Sequence, residues 1–199
     1  MSKAAGAQLR QPQAWRFMAV VSVVLIIITI IIVITIWLAV QPKQLIYSIE
    51  HSSINGYNYT SGGRLNATFH CLLRSKNPNK RVSFYFDKID VRATYYDKEL
   101  FVGGKVDPFY QPVRNVTDLE VDVAANGTVV AGSKAAEDLR MERASGNAKL
   151  EVKINGKIRM KIGVFKVRRT VRARCGPYDV PFSESMGFKR TTCDTEIYY

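Results

Sequence analysis

Residues Phe17 to Val40 run for 24 positions without a charged side chain, and that run limits what the rest of the chain can be. Val, Ile and Leu dominate it. Its polar members are Ser22, Thr29 and Thr35, whose hydroxyls can bond back to a helix. Lipid offers no partner to backbone N–H and C=O groups, so a segment this apolar must be helical if it spans a bilayer. At about 1.5 Å per residue it covers about 36 Å, enough for a hydrocarbon core of about 30 Å with some tilt. Cleaved signal peptides have a shorter apolar region, roughly 7–15 residues, and end in a small-x-small site. The end of this run, Trp37-Leu38-Ala39-Val40-Gln41-Pro42, fits that pattern poorly. A helix lying on the surface of a soluble core would show a polar face, and this segment has none, which makes a buried soluble helix a poorer reading than a membrane span.

The flanks give the helix a direction. Residues 1–16 carry Lys3, Arg10 and Arg16 with no acid, whereas the other flank has Lys43 and then Glu50. Positive charge stays on the cytoplasmic side, so residues 1–16 are expected inside as a short basic tail. Residues 17–40 are then the membrane span, and residues 41–199 an extracytoplasmic domain. Trp15 and Trp37 stand near the two ends, at the positions of an aromatic belt.

Sequons agree with this sidedness. Asn-x-Ser/Thr occurs at Asn58, Asn66, Asn115 and Asn126, all after the helix. About one would be expected by chance for nine Asn in this composition. Each Asn also reads as a turn residue, Asn126-Gly127 especially. The three cysteines lie beyond the helix too, where disulfides persist. Three thiols allow three pairings. In the stretch 64–74, Leu65, Ala67, Phe69, Cys71 and Leu73 share one face, and Asn66, Thr68, His70 and Arg74 the other. A glycan on Asn66 must point to water, so Cys71 is expected in the core, leaving Cys175 and Cys193 for each other.

The outer region reads as strands. Leu45 to Ile54, 64–74, Val82 to Tyr96 and Val116 to Val123 are extended or alternating stretches rich in β formers. Lys76-Asn77-Pro78-Asn79-Lys80 and Gly103-Gly104 read as turns. Ser133 to Arg143 reads as a short helix with Ser133 as its N-cap. Leu150 to Ile162 alternates around Asn155-Gly156, a strong short hairpin signal. Past Gly163 the alternation changes phase: Phe165, Val167 and Val171 become the apolar set, which predicts a β-bulge. Seven or so strands at these spacings predict an antiparallel β-sandwich with one short helix, making the fold mainly β.

The run Arg74-Ser75-Lys76-Asn77-Pro78-Asn79-Lys80 with Phe84-Tyr85-Phe86-Asp87-Lys88-Ile89 resembles the Asn-Pro-Asn motif of the plant harpin-induced, non-race-specific-disease-resistance-like proteins. So do Pro108-Phe109-Tyr110-Gln111 with Asn115-Val116-Thr117, and the C-terminal pair Cys175 and Cys193. The outer domain of that family is similar to the second group of late-embryogenesis-abundant proteins. The resemblance covers almost the whole chain. It implies a fibronectin-like β-sandwich, plasma-membrane residence facing the apoplast, and a part in defence or stress responses. Protein partners at the cell surface are expected as well. Some relatives locate to plasmodesmata, and some hold membrane to cell wall. The Asn-Gly-Asp adhesion motif of some relatives is missing here.

The sequence offers no good catalytic constellation. His51 and His70 are its two histidines. His70 and Cys71 are strand neighbours, which point to opposite faces and cannot form a nucleophile–base pair. No metal-binding His/Cys cluster, P-loop or nucleophile elbow is present, so neither metal nor cofactor is expected and the chain reads as non-enzymatic. Asp118, Glu120 and Asp122 share one strand face, which reads as solvated rather than as a cation site. Asn77, Pro78 and Asn79 read first as a turn and second as a binding element. Net charge is the stronger signal. The whole chain is +12, and beyond the tail 26 Lys and Arg face 17 acids. Lys153, Lys157, Arg159, Lys161, Arg168, Arg172 and Arg174 fall on neighbouring strand segments as a basic sheet face. Nucleic acid is the usual partner of such a surface. The expected topology excludes it and favours cell-wall polyanion or anionic lipid.

Overall fold

A computed structural model describes residues 12–40, 42–60, 62–130, 133–183 and 187–198. Most of the expected tail, residues 1–16, lies outside the described residues, as do the side chains of Trp37 and Ser133. The chain divides into two compact units, 1–41 and 42–199.

The first unit holds one helix, α1 (Pro12–Val40). Proline suits the first helical turn, where its missing N–H has no intrahelical partner to lose. Within α1, Trp15–Thr35 is long and apolar enough to cross a membrane. Its side chains are exposed all round, so nothing in the protein buries them. The hydroxyls of Thr29 and Thr35 donate to the carbonyls of Leu25 and Ile31, at 2.8 and 2.7 Å, so each is satisfied within the helix itself.

The second unit is an antiparallel β-sandwich with one helix. Its strands are β1 (Ile46–Tyr59), β2 (Arg64–Lys76), β3 (Val82–Tyr95), β4 (Lys98–Val106), β5 (Phe109–Gln111), β6 (Val116–Val129), β7 (Asn147–Ile162), β8 (Phe165–Pro181), β9 (Thr191–Thr192) and β10 (Asp194–Tyr198). Helix α2 (Ser133–Ser145) lies between β6 and β7. One sheet has the order β6-β2-β1-β9. The other has β10-β8-β7-β3-β4, with β5 also pairing β3. Both bury their inner alternating set in one core. Leu65, Ala67, Phe69, Cys71 and Leu73 point inward from β2, as their spacing predicts. Phe69 meets Phe101 of the other sheet at 5.7 Å between ring centres. Each fully buried Leu or Phe among them stabilises the fold by about 1.5–3 kcal/mol.

The strands run lengthwise between two ends. At the near end lie Lys43, where the chain enters the sandwich, and the loops 77–81 and 112–115. The β7–β8 connection lies there too, because Val82 pairs with Ile162. At the far end α2 covers the core through buried Leu139, while Arg140 and Arg143 stack on Tyr59 and Tyr57.

Three local expectations are corrected by the register. Gly103-Gly104 is not a turn but part of β4. A Cβ on Gly104 would stand 2.5 Å from Val123, so the bare backbone lets this strand close onto the opposite sheet. The turn lies earlier, at Tyr96-Asp97, whose φ values of 44° and 61° are those of a tight two-residue hairpin loop. Asn155-Gly156 makes no hairpin either. Both lie mid-strand in β7, opposite Arg172 and Val171 of β8, and a Cβ on Gly156 would meet Val171 at 2.8 Å. The phase change at Gly163 is a chain reversal rather than a bulge. Ile162 pairs with Phe165 across the two-residue loop Gly163-Val164, and φ of +59° at Gly163 suits glycine there. Phe165, expected in the apolar set, is 72% exposed.

Candidate interaction surface

The Asn-Pro-Asn segment works inward. Asn77 and Asn79 are buried, and their amides make a polar latch at the near end. Asn77 Nδ2 donates to the carbonyls of Val82 and Pro112, at 2.9 and 2.8 Å. Its Oδ1 accepts from the backbone N–H and the side-chain amide of Asn79, both at 3.0 Å. Asn79 Oδ1 accepts from the Lys43 N–H at 2.7 Å, and Asn79 Nδ2 donates to the Lys43 carbonyl at 2.8 Å. Gln111 extends the network. Its Oε1 accepts from Ser75 Oγ at 2.9 Å and its Nε2 donates to the Ser75 carbonyl at 2.8 Å. These residues therefore bind the protein's own backbone rather than presenting a contact surface. Sequence reasoning read the segment as a turn because the partners at 43 and 112 are more than thirty positions away.

The basic residues of β7 and β8 do share one outer face. Arg159 pairs with Arg168, Lys161 with Lys166, Lys153 with Arg174, and Asn155 with Arg172. Directly opposed residues of antiparallel strands share a face, and like charges so placed cost stability. Only some of these cations are neutralised. Arg159 is held by Asp87 at 2.6 and 3.0 Å, and Lys153 lies 3.3 Å from Glu151. Arg172 lies over the Tyr198 ring at 4.8 Å. Lys157, Lys161, Arg168 and Arg174 have no ion-pair partner among the described residues. The face borders an aromatic pair, Tyr85 and Tyr110, with ring centres 4.5 Å apart. Arg159 and Lys166 both lie over Tyr85.

The acidic row on β6 is partly engaged. Arg74 donates to both carboxylate oxygens of Asp118, at 2.6 and 2.8 Å, and this hydrogen bonding holds Asp118 below the usual carboxylate range. Asp122 pairs with His70 at 2.7 Å. No cluster of three or more His, Cys, Asp or Glu suited to a metal exists among the described residues.

Three of the four sequons meet on one rung. Asn58 of β1 pairs with Asn66 of β2, and Asn66 pairs with Asn126 of β6. All three are exposed on the outer face of the smaller sheet, at the far end. Asn66 Oδ1 accepts from the Gly127 N–H, which leaves Nδ2, the atom a glycan would use, directed outward. Asn115 stands apart, near the latch. Cys175 of β8 and Cys193, just before β10, form a disulfide across a sequence separation of 18. Cys71 is a free thiol in the core, and burial pushes its pKa up to about 12.

These features define an apolar helix followed in sequence by a two-sheet antiparallel sandwich, with a buried Asn-Pro-Asn latch and a disulfide between Cys175 and Cys193. Residues 72–175 match the late embryogenesis abundant protein (LEA_2) family, and the chain belongs to that family. Its relatives carry the names expected from the motif resemblance. It is 29% identical over 170 residues to NDR1/HIN1-like protein 10 of Arabidopsis thaliana, covering 84% of this chain and 74% of that protein. It is 32% identical over 132 residues to NDR1/HIN1-like protein 26 of the same plant, covering 65% and 62%. With NDR1/HIN1-like protein 2 the identity is 25% over 168 residues, covering 81% and 70%.

Proposed function

We propose that this chain is a non-enzymatic, single-pass plasma-membrane protein acting in plant defence or stress responses as a cell-surface signalling or interaction component. In this reading α1 spans the bilayer, the basic tail faces the cytoplasm and the sandwich faces the apoplast. Plasmodesmal membrane is one site where the family resemblance would place it. The observation that carries the reading is the apolar stretch Trp15–Thr35 of α1, followed in the same chain by a sandwich of this family. The four sequons and the disulfide support a non-cytosolic domain. Protease applied to intact vesicles, with glycosidase treatment in parallel, tests the topology. The sandwich should resist digestion from the cytoplasmic side and lose mass on deglycosylation. Digestion from that side, with no mass change, overturns it.

A second reading is a tether that grips wall polyanion through the basic face of β7 and β8. The three cation pairs Arg159–Arg168, Lys161–Lys166 and Lys153–Arg174 favour it, because a merely soluble face gains nothing from opposing like charges. Binding to pectin that weakens steeply as salt rises supports this reading. Binding that is absent, or indifferent to salt, excludes it.

A further inference from the structure

We infer that the near end of the sandwich, led by the β7–β8 hairpin tip, docks on the surface of the bilayer that anchors the chain, recognising anionic lipid headgroups. This rests on the reading of α1 as a membrane anchor and adds a second contact with the same membrane. The tip is Gly163-Val164-Phe165. Val164 is 88% exposed and Phe165 72% exposed, the highest values among the large apolar side chains of the sandwich. A two-residue hairpin loop normally takes Gly, Asn, Asp or Ser. Two bare apolar side chains at its tip gain nothing in water, whereas an apolar wedge flanked by cations is what an anionic membrane interface binds.

The charge around the tip is one-sided. The near end is made by residues 42–45, 76–82, 111–116 and 161–166, which together hold seven Lys or Arg and no Asp or Glu. Lys161 and Lys166 face each other at the base of the tip, and Lys80 and Arg81 are exposed just before β3. Glu50 and Asp118, further along β1 and β6, are held by Arg74. The far-end segments, by contrast, mix Asp97, Glu137, Asp138 and Glu142 with their cations. Connectivity supplies the lipid. Lys43 follows the end of α1 by three residues, a reach of at most about 11 Å, and the Asn79 amide fixes Lys43 to this same end. A surface tethered so close to a bilayer meets it at high effective concentration, so contacts of modest individual strength suffice.

The test uses the full chain in vesicles that contain one-third phosphatidylglycerol. Val164→Cys or, as control at the far-end hairpin, Tyr96→Cys carries a nitroxide label. Cys71 is buried and Cys175 and Cys193 are bonded, so only the introduced thiol reacts. Accessibility to a water-soluble nickel chelate is the readout. A docked fraction of nine-tenths shields the label at 164 about tenfold relative to that at 96. Adding Lys161→Glu and Lys166→Glu should abolish the difference. Equal accessibility at 164 and 96, in chain that floats with the vesicles after an alkaline wash, overturns the docking and leaves the anchor standing. Chain that fails to float overturns both.

Discussion

Asn77 offers the sharpest test of the latch, because its replacement by Ala and by Asp should fail differently. Its amide makes four hydrogen bonds, to Val82, Pro112 and twice to Asn79, at 2.8–3.0 Å in a site that excludes water. At about 1 kcal/mol net for each, Asn77→Ala costs about 4 kcal/mol, a large share of the 5–15 kcal/mol typical of a domain. Asn77→Asp keeps the shape and one acceptor, but turns an oxygen toward two carbonyl oxygens. A carboxylate there is desolvated and repelled, so its folded-state pKa lies above that of the unfolded chain. The sign follows from linkage. The protonated form is favoured in the fold, so the deficit of Asn77→Asp is largest at neutral pH. It shrinks by about 1.4 kcal/mol per pH unit as pH falls through the folded pKa toward the unfolded one. The deficit of Asn77→Ala should not change with pH. Urea unfolding of the full chain in micelles, followed by far-ultraviolet circular dichroism, reads both. Tryptophan fluorescence does not serve, since Trp15 and Trp37 both precede the sandwich. A loss below about 1 kcal/mol for Asn77→Ala, or a pH-independent loss for Asn77→Asp, refutes the latch.

Three further outcomes are expected. Burial raises the Cys71 thiol to about 12, so above the unfolded thiol value of about 8.5 the fold should lose about 1.4 kcal/mol per pH unit; urea midpoints between pH 8.5 and 10 should show this loss in the native sequence and not in Cys71→Ala. Reducing Cys175–Cys193, which closes a separation of 18 residues, should lower unfolding stability by about 3 kcal/mol, and an unchanged midpoint after complete reduction contradicts that. Gly156→Ala places a Cβ 2.8 Å from Val171 and should cost about 1–3 kcal/mol by overpacking, whereas a true hairpin glycine would show its cost only through φ; thermal melts of Gly156→Ala alone and with Val171→Ala, which should recover part of the loss, separate the two.

Much of the sandwich was legible because period-two alternation is a local signal. The inward set on β2, including Cys71, and the inward Leu119, Val121 and Val123 of β6 could be read directly from spacing. Signals whose meaning depends on a distant partner were not. The phase change at Gly163 was visible, but a bulge and a two-residue reversal shift phase alike, and only the pairing of Ile162 with Phe165 decides between them. Asn155-Gly156 has strong turn chemistry, yet the alternation runs through it unbroken from Ile154 to Ile158, and tertiary packing against Val171 prevailed over local preference. The Asn-Pro-Asn latch was illegible for the same reason, since nothing near residue 79 points to Lys43. The rung of Asn58, Asn66 and Asn126 became visible only once the register of three strands was known.

The grip of Asn79 on Lys43 has a mechanical consequence. Any pull arriving through α1 enters the sandwich at this clamp and then along the axis of β1, which starts at Ile46 and pairs with β2 over most of its length. The ladder bonds lie perpendicular to the strands. A load between the near end and the Asn58–Asn66–Asn126 rung therefore acts on them side by side, in shear, rather than opening them one after another. The sandwich is strung to resist tension along its own strands, between the Asn79–Lys43 clamp and that rung.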